Sequence, residues 1–137
     1  MKITQASQTE IESILAGLNA YNDQQVPATH PLWTGIELAI NSPDGKTIGG
    51  ILGGVGSWGG LEIKILWVDE QHRGKGLGKK LLMQAETQAK SLGATIAMLD
   101  TFNFQAKDFY LANGYQIAGS INGFPEGHER YYFYKHL

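Results

Sequence analysis

The sequence predicts a single α/β domain, a mixed β-sheet with helices packed on it. Three observations lead there. Stretches that alternate apolar with polar residues, or end in an apolar run, recur on both sides of residue 70. From Leu77 the apolar period lengthens from two to that of a helix. Clusters of glycine, proline and asparagine separate the segments at short intervals, as turns do. With 137 residues, one domain spanning 1–137 is the default, and it can bury a core without staples.

Taken in order, "MKITQ" reads as a short edge strand. "SQTE", Ser7 to Glu10, has the form of a capping box. Ile11, Ile14, Leu15 and Leu18 follow at helical spacing, and the helix is expected to fade over Asn19–Asn22. "NDQQVPATHPLW" is polar and proline-broken, hence a loop. "GIELAIN" and "TIGGILGGVGSWGG" read as paired strands around the turn "SPDGK", in which Pro43 presets φ and Gly45 accepts φ > 0. If the second strand is regular, Ile48, Gly50, Leu52, Gly54 and Gly56 share one side. So many missing side chains suggest close approach of a helix, a substrate or a second subunit. "LEIKILWV", Leu61 to Val68, reads as a central strand, with Glu62 and Lys64 on one face and Ile63 and Ile65 on the other.

Leu77, Leu81, Ala85 and Ala89, with Leu82 and Leu92 beside them, mark one face of the next helix, and Gly93 stands where a left-handed cap belongs. "TIAMLDT" is a strand. "NFQAKDFYLANGY" holds a short helix, with Asn103 placed to cap its start and Gly114 to end it. "YQIAGSI" and "RYYFYKHL" close the chain as two strands joined by "NGFPEGHE". The expected order is β-α-β-β-β-α-β-α-β-β, a mixed sheet and not a regular doubly wound one.

Composition bounds the function. The hydrophobic fraction of 42% and charged fraction of 18% fit a soluble globular chain. There is no cysteine, which excludes disulfides, cysteine-ligated zinc and a cysteine nucleophile together. A formal net charge of −2 gives no bulk basic field for nucleic acid or an anionic membrane. No apolar run approaches the roughly 20 residues of a spanning helix, and the first residues lack the form of a signal peptide. A cytoplasmic location is the expectation. No ligand spacing supports a metal site, His30 with His128 included.

The stretch "EQHRGKGLGKKLL", Glu70 to Leu82, follows a strand and opens a helix. A P-loop is excluded: its first glycine would fall on Arg73 and its hydroxyl residue on Lys80. A dinucleotide fingerprint fits Gly74 and Gly76, but its third glycine comes one residue early, at Gly78. What remains is Q-x-x-G-x-G, with Gln71, Gly74 and Gly76. Glycines let a ligand approach the backbone, and the first amides of a helix have no internal acceptor. Arg73, Lys75, Lys79 and Lys80 add charge. A pyrophosphate suits such a loop. A glycine-rich turn before an ordinary amphipathic helix is the other reading of the same residues.

"WVDEQHRGKGLGKKLL" followed by "NFQAKDFYLANGY" resembles the GNAT superfamily of acetyl-CoA-dependent N-acetyltransferases, over roughly Ile48 to Tyr134. The resemblance implies a GNAT-like domain with a central, splayed mixed sheet flanked by helices. It implies acetyl-CoA as cofactor, its pantetheine arm along Leu66, Trp67 and Val68. Its pyrophosphate should meet backbone amides across Arg73, Gly74, Lys75, Gly76, Leu77, Gly78 and Lys79. Asn103 matches a position that often touches the cofactor; a helix cap is its other role.

Tyr110 matches the tyrosine that often serves as general acid toward the leaving thiolate and contacts the cofactor; a buried aromatic is the alternative. A donor with pKa about 10 at a sulfur whose thiol pKa is about 8.5 would ease its departure. Glu62 stands where some members place a base for the incoming ammonium, or else it is one half of an exposed charge pair with Lys64. Without cysteine, direct attack in a ternary complex is the expected route. Family members build the acceptor site from the first helix, the loop after it and the last two strands. Here these supply Tyr21, Asn22, His30, Trp33, Trp58, Phe124, Glu126, His128 and Glu129. Aromatics with a few acids suit a cationic amine. The N-terminal part is short for the family, which favours an open or dimer-completed acceptor site, and a homodimer is the family's habit. The expected activity is acetyl transfer to a primary amine, a small molecule before a protein lysine or N-terminus. A non-catalytic acyl-CoA-binding domain is the competing class.

Overall fold

The structure, a computed structural model, describes residues Met1–Leu137. A six-stranded sheet in the order β1-β2-β3-β4-β6-β5 organises the chain. In sequence these are β1 (Trp33–Asn41), β2 (Thr47–Gly56), β3 (Gly60–Val68), β4 (Ile96–Phe102), β5 (Gln116–Asn122) and β6 (Glu129–His136). Every neighbouring pair is antiparallel except β3 and β4. The helices are α1 (Gln8–Gln25), α2 (Leu77–Ser91) and α3 (Lys107–Ala112). None of them is long and apolar enough to cross a membrane.

The core lies on one face of the sheet. α2 lays its predicted stripe there, and Leu81, Leu82, Ala85 and Ala89 are buried against Ile36, Ile51, Val55, Leu61 and Ile63. Gly93 takes φ 90° directly after α2, as its place in the sequence predicts. Beyond it α3 brings Tyr110, and the chain brings Tyr115, onto Phe133 of β6. Glu86 of α2 is buried with them, accepting from Tyr115 Oη at 2.9 Å and pairing with Lys135 Nζ at 2.9 Å. That cluster ties α2 to β6 through a satisfied charge.

Four expectations need correction. "MKITQ" is not a strand: Met1–Ala6 lie outside the sheet, whose edges are β1 and β5, and no neighbouring strand takes up their backbone groups. The first helix does not fade at Asn19–Asn22 but runs to Gln25; Pro27 ends it by forcing Val26 into the extended region, φ −137° and ψ 98°. Its capping box is present, Ser7 and Glu10 bonding each other's backbone. Asn103 does not cap α3, whose N-cap is Ala106 without a side-chain bond.

Finally, Ile63 and Ile65 do not share a face. Leu52 faces Ile65 and Gly53 faces Ile63, so Lys64 is an extra residue, a β-bulge. The bulge flips the alternation: Ile63 is buried, Ile65 is 53% exposed, and Leu66 and Val68 turn back to the core. A second bulge leaves Ile48 unpaired with β1, so the glycine-rich strand is not regular either.

Candidate active site

The site begins where two strands part. β3 and β4 are paired only over Gly60–Glu62 and Ile96–Met98. Past Glu62 and Met98, β4 follows β6 while β3 stays with β2, so the sheet splays into a V as expected. Asp69 N donates to Ile48 O of β2 at 2.8 Å. Backbone groups alternate sides along a strand, so Val68 and Leu66 point theirs at the opposite edge, the one β4 has left. An extended polar arm can pair with such an edge.

At the end of β3 a 3-10 turn, Glu70–His72, leads into the glycine loop. His72 Nδ1 lies 2.9 Å from Asp69 Oδ2, and this hydrogen bond holds the Asp69 carboxyl below its usual range. Arg73 Nε donates to Val68 O at 3.0 Å, tying the loop to the free strand edge. Gly74 and Gly76 take φ 74° and 76°, where an L side chain is strained, and nothing lies within 4 Å of where a Cβ would be. Gly76 is the N-cap of α2, so the first amides of α2 open on this space, and Lys79 and Arg73 line it with charge.

A cleft of about 570 Å³ runs from this loop along the strand edge to α3. Of the residues proposed for a cofactor, Leu66, Trp67, Val68, Arg73, Gly74, Gly76, Leu77, Gly78, Lys79 and Tyr110 line it; Lys75 and Asn103 do not. His72, Phe104, Gln105, Ala106 and Phe109 line it as well. The motif spacing could have flagged His72, inside the loop, and Phe109, beside Tyr110. Phe104 to Ala106 lie in the second motif directly after Asn103, but only the fold shows that they, and not Asn103, come across from the end of β4 to the cleft. Asn103 is engaged elsewhere: its Oδ1 lies 3.0 Å from His128 Nδ1 and accepts from Glu129 N at 3.4 Å, bracing the β5–β6 connection.

Tyr110 is 6% exposed, packed edge-on against Phe109 and Tyr115 at 5.2 and 5.8 Å. Its hydroxyl bonds to no group of the chain, yet no side-chain oxygen is both buried and unpartnered. Its oxygen therefore touches the cleft. Burial first, and the Asp100 carboxylate second, push its pKa up to about 12. Tyr115 is raised too, by burial and then by the charge of Glu86.

The outer face of the sheet, away from α2, holds the polar groups nearest the fork. Glu62 sits on the last paired residue of β3, its Oε2 2.7 Å from Lys64 Nζ. The Lys64 ammonium lies 5.7 Å from the Trp33 ring, which covers Gly54 so closely that a Cβ there would collide with it. Glu62 and Trp33, separate in the sequence reading, are thus neighbours. Asp100, two residues past Met98 on the same face of β4, pairs with Arg130 Nη2 at 2.7 Å; the sequence reading missed it, although strand alternation places it.

The remaining acceptor residues scatter. Phe124 and His128 join an aromatic cluster with Phe102 and Phe104, and Phe104 connects that cluster to the cleft. Glu126 is exposed in the same loop, and Glu129 begins β6. His30 is wedged against Gly59 and Gly93, at the end of β3 opposite the glycine loop. Tyr21 and Asn22 lie on α1, and Trp58 bonds the chain after it.

Three comparisons agree with this geometry. Residues 9–115 match the Acetyltransferase (GNAT) family. The blasticidin-S acetyltransferase of Streptomyces morookaense is 40% identical over 84 residues, 61% of this chain and 61% of that protein. The chain thus matches about three fifths of that relative's length. A crystal structure of an acetyltransferase from Bacillus cereus superposes with a TM-score of 0.91 at 32% identity, over 100% of this chain and 98% of the other. A Bacillus anthracis protein named as a streptothricin acetyltransferase, solved with acetyl coenzyme A, superposes at 0.67 with 28% identity, over 75% of this chain and 62% of that one. The glycine loop, the splayed strand and the match over most of the chain together make this chain a member of the GNAT acetyltransferase family.

Proposed function

We propose that the protein transfers an acetyl group from acetyl-CoA to the primary amine of a small molecule. The observation that carries this is the single cleft joining the free edge of Leu66 and Val68, the amides at the start of α2 and the Tyr110 hydroxyl. The chemistry of the residues fits the cofactor: an open, cationic, amide-rich mouth for a diphosphate, and an unpaired strand edge for an amide-bearing arm. When bound, acetyl-CoA supplies a thioester, an activated acyl group with a thiolate to leave.

The chain's own residues do the rest. Leu66 and Val68 orient the arm through their backbone groups, and Arg73 gives up Val68 O and turns to the phosphates. Glu62, at the fork on the outer face, draws the ammonium away from bulk water and takes its proton directly or through one water. Lys64 competes for the same carboxylate, so a cationic acceptor must displace that pair, an exposed one worth little. Tyr110 donates a hydrogen bond to the departing sulfur. Trp33 and the aromatic cluster around Phe124 and His128 offer ring faces to a cation. His30, wedged between Gly59 and Gly93 at the other end of β3, takes no part. The relatives named for blasticidin S and streptothricin favour a small acceptor over a protein lysine.

The test is thiol release from acetyl-CoA across a panel of amines, with a thermal-shift panel of acetyl-CoA, CoA, ATP and NAD beside it. A ligand at 100 times its Kd raises stability by about 2.7 kcal/mol, an easily read shift. Thiol release with at least one amine, and shifts with the CoA species alone, are expected. A shift with CoA but no release with any amine leaves a CoA-binding domain; a shift with ATP alone sinks the reading altogether.

A further inference from the structure

Thr101 is a polar residue buried on the core side of β4, 4% exposed, and its hydroxyl donates to Gln105 Oε1 at 3.1 Å. Phe102 N donates to the same oxygen at 2.9 Å. Gln105 N returns a bond to Phe102 O at 3.0 Å, which closes a turn at the end of β4. A glutamine on the surface is thus held by its side-chain oxygen at two points. The turn itself needs only an acceptor there, and a carboxylate would serve it as well. What the carboxamide adds is its –NH2 group.

These bonds orient that group. A backbone N–H can only donate, so the oxygen of Gln105 faces Phe102 and the –NH2 faces away. Gln105 Nε2 makes no hydrogen bond within the chain, and Gln105 lines the cleft. The side chain therefore takes up the Phe102 N–H and presents a donor several bonds further out. It does so on the β4 arm of the V, with Leu66 and Val68 on the β3 arm, where the two strands have parted. A donor fixed before its partner arrives spares the entropy of ordering a long side chain on binding, roughly 1.5–2 kcal/mol for glutamine.

We propose that Gln105 Nε2 donates to an amide carbonyl of the cofactor's arm. The arm of coenzyme A carries secondary amides, and in a trans amide the N–H and the C=O point in opposite directions. An amide that gives its N–H to the edge of β3 turns its carbonyl to the opposite wall. Left unmet in a closed cleft, that carbonyl costs free energy, and Gln105 meets it. The β3 edge and Gln105 then grip one amide from its two sides and fix how far the thioester reaches toward the fork. The contact needs coenzyme A in the cleft and is independent of the amine acceptor.

Isothermal titration of the full chain with CoA tests it, beside titration with adenosine 3′-phosphate 5′-diphosphate, the nucleotide end of CoA without the arm. Gln105→Glu keeps an oxygen for Thr101 and Phe102 and removes the –NH2. Gln105→Met, of similar length and uncharged, removes both. Gln105→Glu should melt with wild type in the absence of ligand. Both variants should bind CoA about 10-fold more weakly and hold the nucleotide as wild type does, which also shows them folded. Unchanged CoA affinity in Gln105→Glu overturns the proposal, because a glutamine that only ties the turn tolerates that change. A loss in Gln105→Glu alone overturns it too, since the new charge and not the missing donor would be at work. Equal losses for CoA and for the nucleotide place the donor on the diphosphate and reject the arm. Wild-type protein that binds no CoA removes the cofactor reading and this contact together, whereas variants equal to wild type remove the contact and leave acetyl transfer standing.

Discussion

The Tyr110 hydroxyl carries two opposed consequences of its burial. With its pKa pushed up to about 12, it stays protonated at every working pH and is always able to donate. The same shift makes it a poor acid: handing its proton to a thiolate of pKa about 8.5 runs uphill by three to four units, roughly 5 kcal/mol. The second effect decides the role. Tyr110 holds the sulfur by a hydrogen bond as charge develops there, and full proton transfer lags behind departure. A hydrogen bond to a charged group is worth about 1.5–3 kcal/mol, so Tyr110→Phe should lower kcat by roughly 10- to 100-fold. The thermal shift with CoA should stay unchanged, and the pH–rate profile below about pH 10 should keep its shape. Unchanged turnover would remove Tyr110 from the chemistry. Glu62→Gln is the matching test on the acceptor side: it should depress the rate most at low pH, where the amine is fully protonated, and full activity at every pH would show that another group handles the proton.

At the scale of elements, the segments whose structure depends on near neighbours were readable. The Ser7 capping box, the α2 stripe, the turn at Gly45 and the stop at Gly93 each rest on residues within a turn or two. The splay of β3 from β4 followed from the family motif, not from periodicity. What stayed hidden depends on partners distant in sequence. The bulge at Lys64 is set by register against β2, so a rule of strict alternation put Ile65 on the wrong face. The α1 stripe looks like any core-facing helix, and no local pattern tells that its own core is not what it faces. His30 was grouped with the acceptor residues for its chemistry, but the fold uses it as a wedge between two left-handed glycines. That wedge makes Gly93 a sensitive point. At φ 90° a side chain is strained by roughly 1–2 kcal/mol, and a Cβ would come within 2.9 Å of His30 Nε2. Gly93→Ala should therefore destabilise the fold by about 2 kcal/mol in urea melts, with the CoA shift retained. A loss below a few tenths would mean that the end of α2 is free to adjust.

For the whole molecule, the same buried tyrosines that line and support the site set a limit on stability at high pH. Tyr110 ionises near pH 10 in an unfolded chain and near 12 in the fold. Its neutral form is therefore favoured by folding. The stability this represents is complete below pH 10 and is lost as pH climbs from about 10 to about 12, because the unfolded chain gains ionisation that the fold resists. The slope is about 1.4 kcal/mol per pH unit for each such group, and Tyr110 alone reaches roughly 3 kcal/mol. Tyr115 is raised by the same burial and by Glu86, and it adds to the slope in the same direction. Both rings pack on one junction, where α2, α3 and β6 meet, so alkaline unfolding should begin with that junction and take the cleft with it. Urea midpoints measured from pH 8 to 11 should fall steeply above pH 10, and Tyr110→Phe should fall less steeply while starting close to wild type. Phenylalanine keeps the ring contacts with Phe109, Tyr115 and Phe133 and removes only the titrating oxygen, so any difference that grows with pH belongs to that proton. Parallel curves for the two proteins would mean that the fold holds the Tyr110 proton no more tightly than the unfolded chain does, and that its burial is shallower than the packing around its ring implies.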